Sequence, residues 1–268
     1  MSFRLKSWNA FRTGAFKLGL NTARQTNPAD VRALIRRLRP LDCGKELIRI
    51  GGIGDGGYLV PNDLEGIKYC FSPGVNTISD FENHLADSGI QSFLADYSVD
   101  VPPVLRPELV FDKKFLGSTD RGKFITLAAW KEKYIPDYTG DLILQMDIEG
   151  YEYQVIFSTP DKLLDQFRIL IIEFHRLDRL FEPVFFEFIN SCFEKILGYF
   201  HVAHIHPNNC CGSVKKGGIE IPKVMEFTFL NKKRVNQTRS ALTFPHKLDH
   251  PNTSNKDIHL PPCWYRND

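Results

Sequence analysis

The run RILII at positions 168–172 is the most apolar stretch of the chain, and it limits the folds that the chain can adopt. A strand without polar side chains must be covered on both faces, which is typical of the centre of a parallel sheet. Parallel strands need long connections between them, and these are usually helices. The run therefore predicts an α/β fold with helices on both faces of its sheet.

Apolar strand patterns alternate with helical patterns on both sides of this run. Such alternation predicts a doubly wound, mainly parallel sheet. The last two predicted strands are separated only by a loop, so the final strand is expected to run antiparallel to its neighbour. Gly198 is the predicted end of the last helix. The predicted strands lie at 68–71, 91–95, 109–111, 141–146, 168–172, 200–205 and 224–230, and the predicted helices at 28–38, 77–88, 126–134 and 182–197.

Composition divides the chain into three parts. Residues 1–26 form a basic segment, whose first 24 positions hold five basic residues and no acid. Residues 27–231 form the globular domain, with an N-terminal helix and a Gly-rich hairpin. Residues 232–268 are polar and Pro-rich, and this tail is expected to wrap over the domain.

Charge and cysteine content argue against several functional classes. A formal net charge of +2 gives no support for nucleic-acid binding. The six cysteines include no CxxC pair, and no signal-peptide pattern precedes them, so a cytoplasmic protein with reduced thiols is expected. The basic segment also holds Phe3, Trp8, Phe11 and Phe16. It predicts either peripheral contact with a membrane or a tail that packs on the domain.

A literal GxGxxG, formed by Gly52, Gly54 and Gly57, raises the alternative of a nicotinamide-dependent oxidoreductase. That fingerprint needs a strand before it and a helix after it, because the phosphates sit on the helix N-terminus. Here the sequence YLVP comes next and favours a second strand. We therefore predict a hairpin with Asp55 at its tip. The sequence leaves open whether this turn faces a ligand or only reverses the chain.

Polar residues stand at the ends of most of the predicted strands. Ligands of doubly wound sheets bind outside the carboxyl ends of the strands. Side chains two positions apart on a strand point to the same face. Acid and imidazole groups are therefore expected to gather at one edge of the sheet. The residues concerned are Asp96, Asp147, Glu149, Glu173, His175, His204 and His206, and Gly74 follows the first of these strands.

The end of the second predicted strand favours a nucleoside ligand. Asp96 lies about 22 positions after Gly74, the separation typical of an acid that accepts hydrogen bonds from a ribose. The first turn, SPGVN, has a single glycine and is a poor cradle for a pyrophosphate. A nucleoside without phosphates fits better, and S-adenosylmethionine is the candidate.

The block LILQMDIEGYEYQVI at 142–156 resembles the signature of the FkbM-type methyltransferase family. Its core is formed by Asp147, Glu149, Gly150 and Glu152. The blocks RIGGIGDGGYLV, CFSPGVNTISDFENHLADSG and FLADYS resemble upstream blocks of one branch of that family. FHVAHIHPNN and IPKVMEFTFL resemble downstream blocks. The similarity extends over about residues 47–230.

The resemblance implies a class I, Rossmann-like methyltransferase fold and an S-adenosylmethionine-dependent O-methylation of a sugar, a polysaccharide or another hydroxyl compound. It implies that Gly74 lies at the methionine–adenosine turn and Asp96 at the ribose. It also places Asp55 and Glu82 in the cofactor pocket. Many members carry a second glycine in the first turn, where this chain has only Pro73-Gly74.

O-methylation of a weakly acidic hydroxyl needs a general base or a metal ion. We predict that Asp147 or His175 takes the proton and that Glu149 orients the acceptor. A divalent ion held by Glu149, Glu173, His175 and His206 is the alternative, although a network without metal is favoured. Glu173, His204 and His206 are candidate substrate contacts. The rival functions are a non-catalytic glycan- or partner-binding module on the same fold and a methyltransferase of a non-sugar small molecule.

Overall fold

The computed structural model describes residues 3–19, 25–102, 104–240 and 243–266. Helices and strands alternate along most of this part of the chain. The helices are α1 (Phe3–Lys17), α2 (Pro28–Arg37), α3 (Asp80–Asp87), α4 (Leu127–Tyr134), α5 (Glu152–Ser158), α6 (Asp161–Leu164) and α7 (Pro183–Tyr199). The strands are β1 (Leu41–Asp42), β2 (Leu47–Ile50), β3 (Tyr58–Pro61), β4 (Tyr69–Pro73), β5 (Gln91–Ala95), β6 (Leu109–Asp112), β7 (Phe115–Leu116), β8 (Phe124–Ile125), β9 (Leu142–Met146), β10 (Phe167–Phe174), β11 (Phe200–Pro207), β12 (Ser213–Lys216), β13 (Ile219–Pro222), β14 (Met225–Asn231) and β15 (Arg239–Ser240).

A seven-stranded sheet forms the centre of the fold, in the order β11-β14-β10-β9-β4-β5-β6. Strand β14 runs antiparallel to both of its neighbours, and the other pairs are parallel. This arrangement is a class I, Rossmann-like methyltransferase fold, which confirms the predicted mainly parallel sheet and its final antiparallel strand. The strand order reverses between β4 and β9, where such sheets bind their ligands.

The apolar run at 168–172 lies inside β10, and every residue of that strand is buried. Its side chains alternate between two apolar layers. Leu170 and Ile172 belong to the larger core on one face of the sheet. Ile169 and Ile171 belong to the smaller core on the other face. The prediction that this strand is covered on both faces is confirmed.

Two predicted helix boundaries differ from the structure by more than one residue. Helix α3 begins at Asp80, three positions later than predicted. Gly198 does not end α7, because the N–H of Phe200 still donates to the carbonyl of Ile196 and the helix leads directly into β11. At the start of α2, the side chain of Asn27 accepts a hydrogen bond from the N–H of Ala29, which confirms the predicted N-cap.

The GxGxxG segment forms the predicted hairpin, in which β2 and β3 pair antiparallel, and no helix follows Gly57. The two limbs of the turn pack backbone against backbone. A Cβ added at Gly57 would lie 2.0 Å from the carbonyl oxygen of Gly52, and one added at Gly51 would lie 2.2 Å from that of Gly56. The glycines are therefore needed for this close approach.

The tail packs on the domain over residues 243–266. The side chain of Trp264 is fully buried in the larger core, and its indole N–H donates to the carbonyl oxygen of Glu220 at 3.0 Å.

Short strands form two further pairs outside the central sheet. Strand β15 pairs with β1, and β12 pairs with β13 in a second hairpin. The sequence predicted none of these short strands. The predicted boundaries after residues 26 and 231 stay predictions.

Helix α1 carries exposed aromatic rings, with 59% of Phe11 and 78% of Phe16 accessible. Among the residues that the structure describes, no helix is both long enough and apolar enough to cross a bilayer. Peripheral membrane contact through the basic segment stays a prediction. Phe3 and Trp8 lie where the structure does not describe side chains.

The close approach of β4 and β9 gives a testable prediction about Gly74. This glycine has φ +90°, and a Cβ added to it would lie 1.6 Å from the carbonyl oxygen of Asp147. Gly89 has a similar φ of +77° but has nothing within 4 Å. We expect Gly89→Ala to cost about 1–2 kcal/mol through φ alone. Gly74→Ala should cost at least about 2 kcal/mol more in urea unfolding. Equal losses of unfolding free energy in the two variants would contradict the close approach of Gly74 to the backbone of Asp147.

Candidate active site

A cleft of about 440 Å³ lies at the carboxyl ends of β4, β5 and β9. It is at the reversal of strand order, and its volume lies in the range of about 300–1,000 Å³ typical of small-molecule sites. Five groups of residues form its walls. They are the turn after β4, the end of β5 with the loop that follows it, the β7–β8 pair, the loop after β9, and the tip of the Gly-rich hairpin with the start of α3.

The walls of this cleft are strongly acidic. Among the described residues that line it, Lys123 is the single lysine or arginine. Such a cleft attracts a cationic ligand and repels one with several phosphates. The carboxylates are those of Asp55, Asp80, Glu82, Asp96, Asp147 and Glu149.

Asp96 directly follows β5 and braces two loops of the cleft. Its Oδ2 accepts a hydrogen bond from the N–H of Asn76 at 2.9 Å. Its Oδ1 accepts two from Ser98, from the N–H at 2.7 Å and from the hydroxyl at 2.6 Å. A carboxylate has about four acceptor positions. One position on Oδ2 therefore remains for a ligand, with the Ser98 hydroxyl beside it.

Aromatic rings from the short β7–β8 pair form an apolar wall of the cleft. The rings of Phe115 and Phe124 lie 6.0 Å apart, and Tyr97 packs against Phe115 at 5.4 Å. The ammonium of Lys123 lies 4.9 Å from the Phe115 ring and 5.7 Å from that of Phe124. These are cation–π distances. Two-residue strands have no readable periodicity, so no sequence pattern predicted this wall.

Glu82 lies fully buried beneath the cleft. The hydroxyl of Ser72 contacts Glu82 Oε1 and also Gln145 Oε1, the latter at 2.7 Å. One hydroxyl proton cannot serve two acceptors. A protonated Glu82 solves the problem, because it donates to Ser72, which then donates to Gln145. Burial raises the pKa of Glu82 to about 7, in agreement with this assignment.

Glu152, the first residue of α5, holds the loop after β9 and the imidazole after β10. It is fully buried. Its Oε1 accepts the backbone N–H of Ile148 at 3.2 Å and that of Gly150 at 3.0 Å. The same oxygen lies 3.1 Å from Nδ1 of His175. The loop and the imidazole are thus held by one carboxylate.

The other ring nitrogen of His175 points into a group of carboxylates. Nε2 lies 3.8 Å from Asp147 Oδ1, 3.5 Å from Glu149 Oε2 and 3.6 Å from Glu173 Oε1. Oδ1 of Asp147 is buried and has no hydrogen-bond partner among the described residues. Asp147, Glu149 and His175 each place one ligand atom within 4.8 Å of the others, so these three residues could hold a metal ion.

Burial and charge perturb the protonation of this group. Burial raises the pKa of Asp147 to about 7, although the neighbouring His175 acts in the opposite direction. Burial acts to lower the pKa of His175, but its hydrogen bond with Glu152 and the surrounding carboxylates outweigh burial and raise it. Burial also raises the pKa of Glu173, whose two oxygens accept from the amide of Asn208 at 3.2 and 3.3 Å.

His204 and His206 lie at the same edge of the sheet as His175, because β11 runs parallel to β10, but they do not join this group. Strand β14 lies between β10 and β11, so these histidines are two strand spacings, about 10 Å, from β10. Asp249 of the C-terminal tail contacts both histidines at that position. Nε2 of His204 lies 2.8 Å from Asp249 Oδ1, and Nδ1 of His206 lies 3.7 Å from the same oxygen.

Sequence reasoning missed Glu226, a buried acid of β14. It lies directly opposite Glu173 across the strand pair. Its Oε1 accepts the amide of Asn252 in the tail at 2.5 Å. Burial raises its pKa to about 8. The sequence signal that could have identified this residue is an acid within a mostly apolar strand, which reads MEFTFLN.

Residues 125–200 match the family model described as the Methyltransferase FkbM domain. This segment holds α4, β9, α5, β10 and α7, and with them Asp147, Glu149 and His175. The match confirms the resemblance of this segment, with its Asp147–Glu152 core, to the FkbM-type methyltransferase family. The resemblance of the blocks upstream of residue 125 and downstream of residue 200 stays a prediction. A search of curated proteins returned no match to the chain.

Solved structures also align with the chain. One is described as a putative DNA modification methyltransferase encoded within an E. coli prophage, at 9% identity and a TM-score of 0.41, over 71% of this chain and 52% of that one. The chain thus spans about half the length of that structure. A fibrillarin/Nop5p complex aligns at 13% identity and a TM-score of 0.37, over 63% of this chain and 74% of that one.

The protonated state of Glu82 gives a stability prediction. In the unfolded chain this carboxyl ionises near its usual pKa of 4.5, whereas in the folded chain it stays protonated to a pKa of about 7. The native protein therefore loses stability as the pH rises from 4.5 to 7, and the loss is constant above that. Glu82→Gln should remove this loss. The free energy of unfolding of the variant, compared with that of the native chain, should therefore rise by up to about 3 kcal/mol between pH 4.5 and pH 7.

Urea unfolding between pH 4.5 and 8 measures this difference. The exposed Glu187→Gln on α7 is the matched control, and its difference from the native chain should not change over this range. A constant difference for Glu82→Gln as well would show that Glu82 ionises normally in the folded protein.

Proposed function

We propose that this methyltransferase uses S-adenosylmethionine to methylate a hydroxyl group of a sugar or polysaccharide. The observation that carries the proposal is the excess of acids over bases in the cleft, where five carboxylates and the protonated Glu82 face a single lysine beside an aromatic wall. A cationic nucleoside is the ligand that suits both features. S-adenosylmethionine has a sulfonium and an ammonium group on an adenosine.

The residues of the cleft fit this donor. Phe115 and Phe124 offer flat apolar faces to an adenine. The remaining acceptor position of Asp96 and the hydroxyl of Ser98 suit the two ribose hydroxyls. The absent side chain of Gly74 lets the turn after β4 lie against the backbone of Asp147. When bound, the donor supplies an electrophilic methyl group.

Asp147, Glu149 and His175 suit the acceptor hydroxyl. The unpartnered Oδ1 of Asp147 is available to a donor from the acceptor. We assign the removal of its proton to Asp147, whose pKa burial raises to about 7, or to His175, whose pKa the surrounding carboxylates raise above its usual value. Glu149 is 88% exposed, and it orients the acceptor from the solvent side. The choice of a sugar rests on the family resemblance.

The geometry disfavours the nicotinamide alternative. The GxGxxG is a closed hairpin with no helix to receive a pyrophosphate, and the acidic cleft would repel one. The other two alternatives differ from our proposal only in the events after the donor has bound. A binding module would not turn over, and a small-molecule methyltransferase would accept a hydroxyl that is not part of a sugar.

An isotope-transfer assay tests the proposal. Purified protein is incubated with S-adenosylmethionine labelled on its methyl group and a panel of saccharides and small hydroxyl compounds. We expect label in a saccharide. Asp147→Asn and His175→Ala should each lower the rate about 10²-fold, with affinity for the donor kept within about threefold. The control Glu187→Gln should leave the rate unchanged.

Each other outcome of this assay removes one part of the proposal. Label found only in a compound that is not a sugar rejects the sugar acceptor. Full activity in both variants rejects their role as bases. Donor binding without transfer to any compound of the panel supports the binding module.

A further inference from the structure

We infer that Asp147, Glu149 and His175 form a binding site for one divalent cation of the Mg²⁺ or Mn²⁺ type. The inference deepens the proposed function, on which it rests for the use of the ion: to hold the acceptor hydroxyl. The site itself depends on the described side chains alone.

The separations between the ligand atoms fit a shared ion better than direct hydrogen bonds. Nε2 of His175 is 3.8 Å from Asp147 Oδ1 and 3.5 Å from Glu149 Oε2. Hydrogen bonds of the N–H···O type span about 2.7–3.2 Å. Two ligands at about 2.1 Å from an octahedral ion lie about 3.0 Å apart when adjacent and about 4.2 Å apart when opposite. Both measured distances exceed the hydrogen-bond range and stay below the larger of those two values, so one ion can contact both atoms of each pair.

The imidazole is held in the orientation that a metal ligand needs. Glu152 Oε1 lies 3.1 Å from Nδ1 and is itself fixed by the backbone N–H groups of Ile148 and Gly150. Nδ1 therefore carries the proton in the neutral ring, and the lone pair of Nε2 faces Asp147 and Glu149. A buried carboxylate behind a histidine is the usual support of a metal-binding imidazole.

The carboxyl groups around Nε2 offer several oxygen ligands to a cation. Three carboxylates, those of Asp147, Glu149 and Glu173, have an oxygen within 3.8 Å of Nε2. Oδ1 of Asp147 is buried and makes no hydrogen bond to any described residue. Leaving a buried acceptor unsatisfied costs about 1–3 kcal/mol, and more for a charged group. A divalent ion at this point satisfies the oxygen and offsets the repulsion.

The ligand set indicates which ion binds. Carboxylate oxygens suit Mg²⁺ and Mn²⁺, and Mn²⁺ also accepts an imidazole. Three protein ligands leave about three octahedral positions for water or for acceptor oxygens. An ion there lowers the pKa of a bound hydroxyl. Because the ion occupies the lone pair of Nε2 and Oδ1 of Asp147, the second carboxylate oxygen of Asp147 is the proton acceptor that remains of the two candidate residues.

Titration with Mn²⁺, followed by the electron paramagnetic resonance signal of the free ion, tests the site directly. Full-length protein is first freed of metal with EDTA. We expect one Mn²⁺ site per chain. The affinity for Mn²⁺ should fall at least about tenfold in Glu149→Gln and in His175→Gln, because removing a metal ligand weakens binding at least as much as removing the residue that orients it. Glu149 is 88% exposed, so its variant should fold normally. The exposed Glu187→Gln should bind as the native chain does.

Absence of a stoichiometric site, or equal binding by all four proteins, overturns the inference. S-adenosylmethionine binding is measured in the same samples. Protein that binds the donor but not Mn²⁺ rejects the cation site and leaves the proposed function in place. Protein that binds Mn²⁺ at this site but not the donor retains the site and rejects the proposed function.

Discussion

The buried carboxylate of Glu152 organises the candidate active site. One of its oxygens accepts two backbone N–H groups of the loop after β9 and contacts the imidazole after β10. Strands β9 and β10 are parallel neighbours, so this contact fixes the distance between Asp147 and His175 at their carboxyl ends. Glu149, with a φ of +58°, lies within the same loop. Without Glu152 the sheet would bring these residues near one another but would not orient them.

The close packing of buried acids near His175 lowers the stability of the fold. Glu173 and Glu226 are buried and lie opposite one another, and like charges in that position are destabilising. Burial raises the pKa of each carboxyl, and amides of Asn208 and Asn252 bind them. Local arrangements of this kind are typical of sites where function, and not stability, sets the residue types.

The sequence predicted the fold through patterns that are local in the chain. A continuous apolar strand requires cover on both faces, and polar residues after β4, β5 and β9 have to meet at one edge. What it could not predict depends on contacts between distant segments. Asp249 of the tail pairs with His204, and the aromatic wall arises where two strands of two residues meet. Neither feature leaves a periodic signal in the sequence. Strand β14 lies between β10 and β11, and it separates His175 from His204 and His206, which the alternation of strands and helices alone had placed together.

The acidic cleft should bind a cationic nucleoside and should exclude a dinucleotide with its pyrophosphate. Isothermal titration of the native chain with S-adenosylmethionine and, separately, with NAD⁺ distinguishes the two ligands. We expect binding of S-adenosylmethionine, lost in Asp96→Ala and kept in the exposed control Asp137→Ala, with no binding of NAD⁺. Binding of NAD⁺ without binding of S-adenosylmethionine would contradict the assignment of this cleft to a methyl donor.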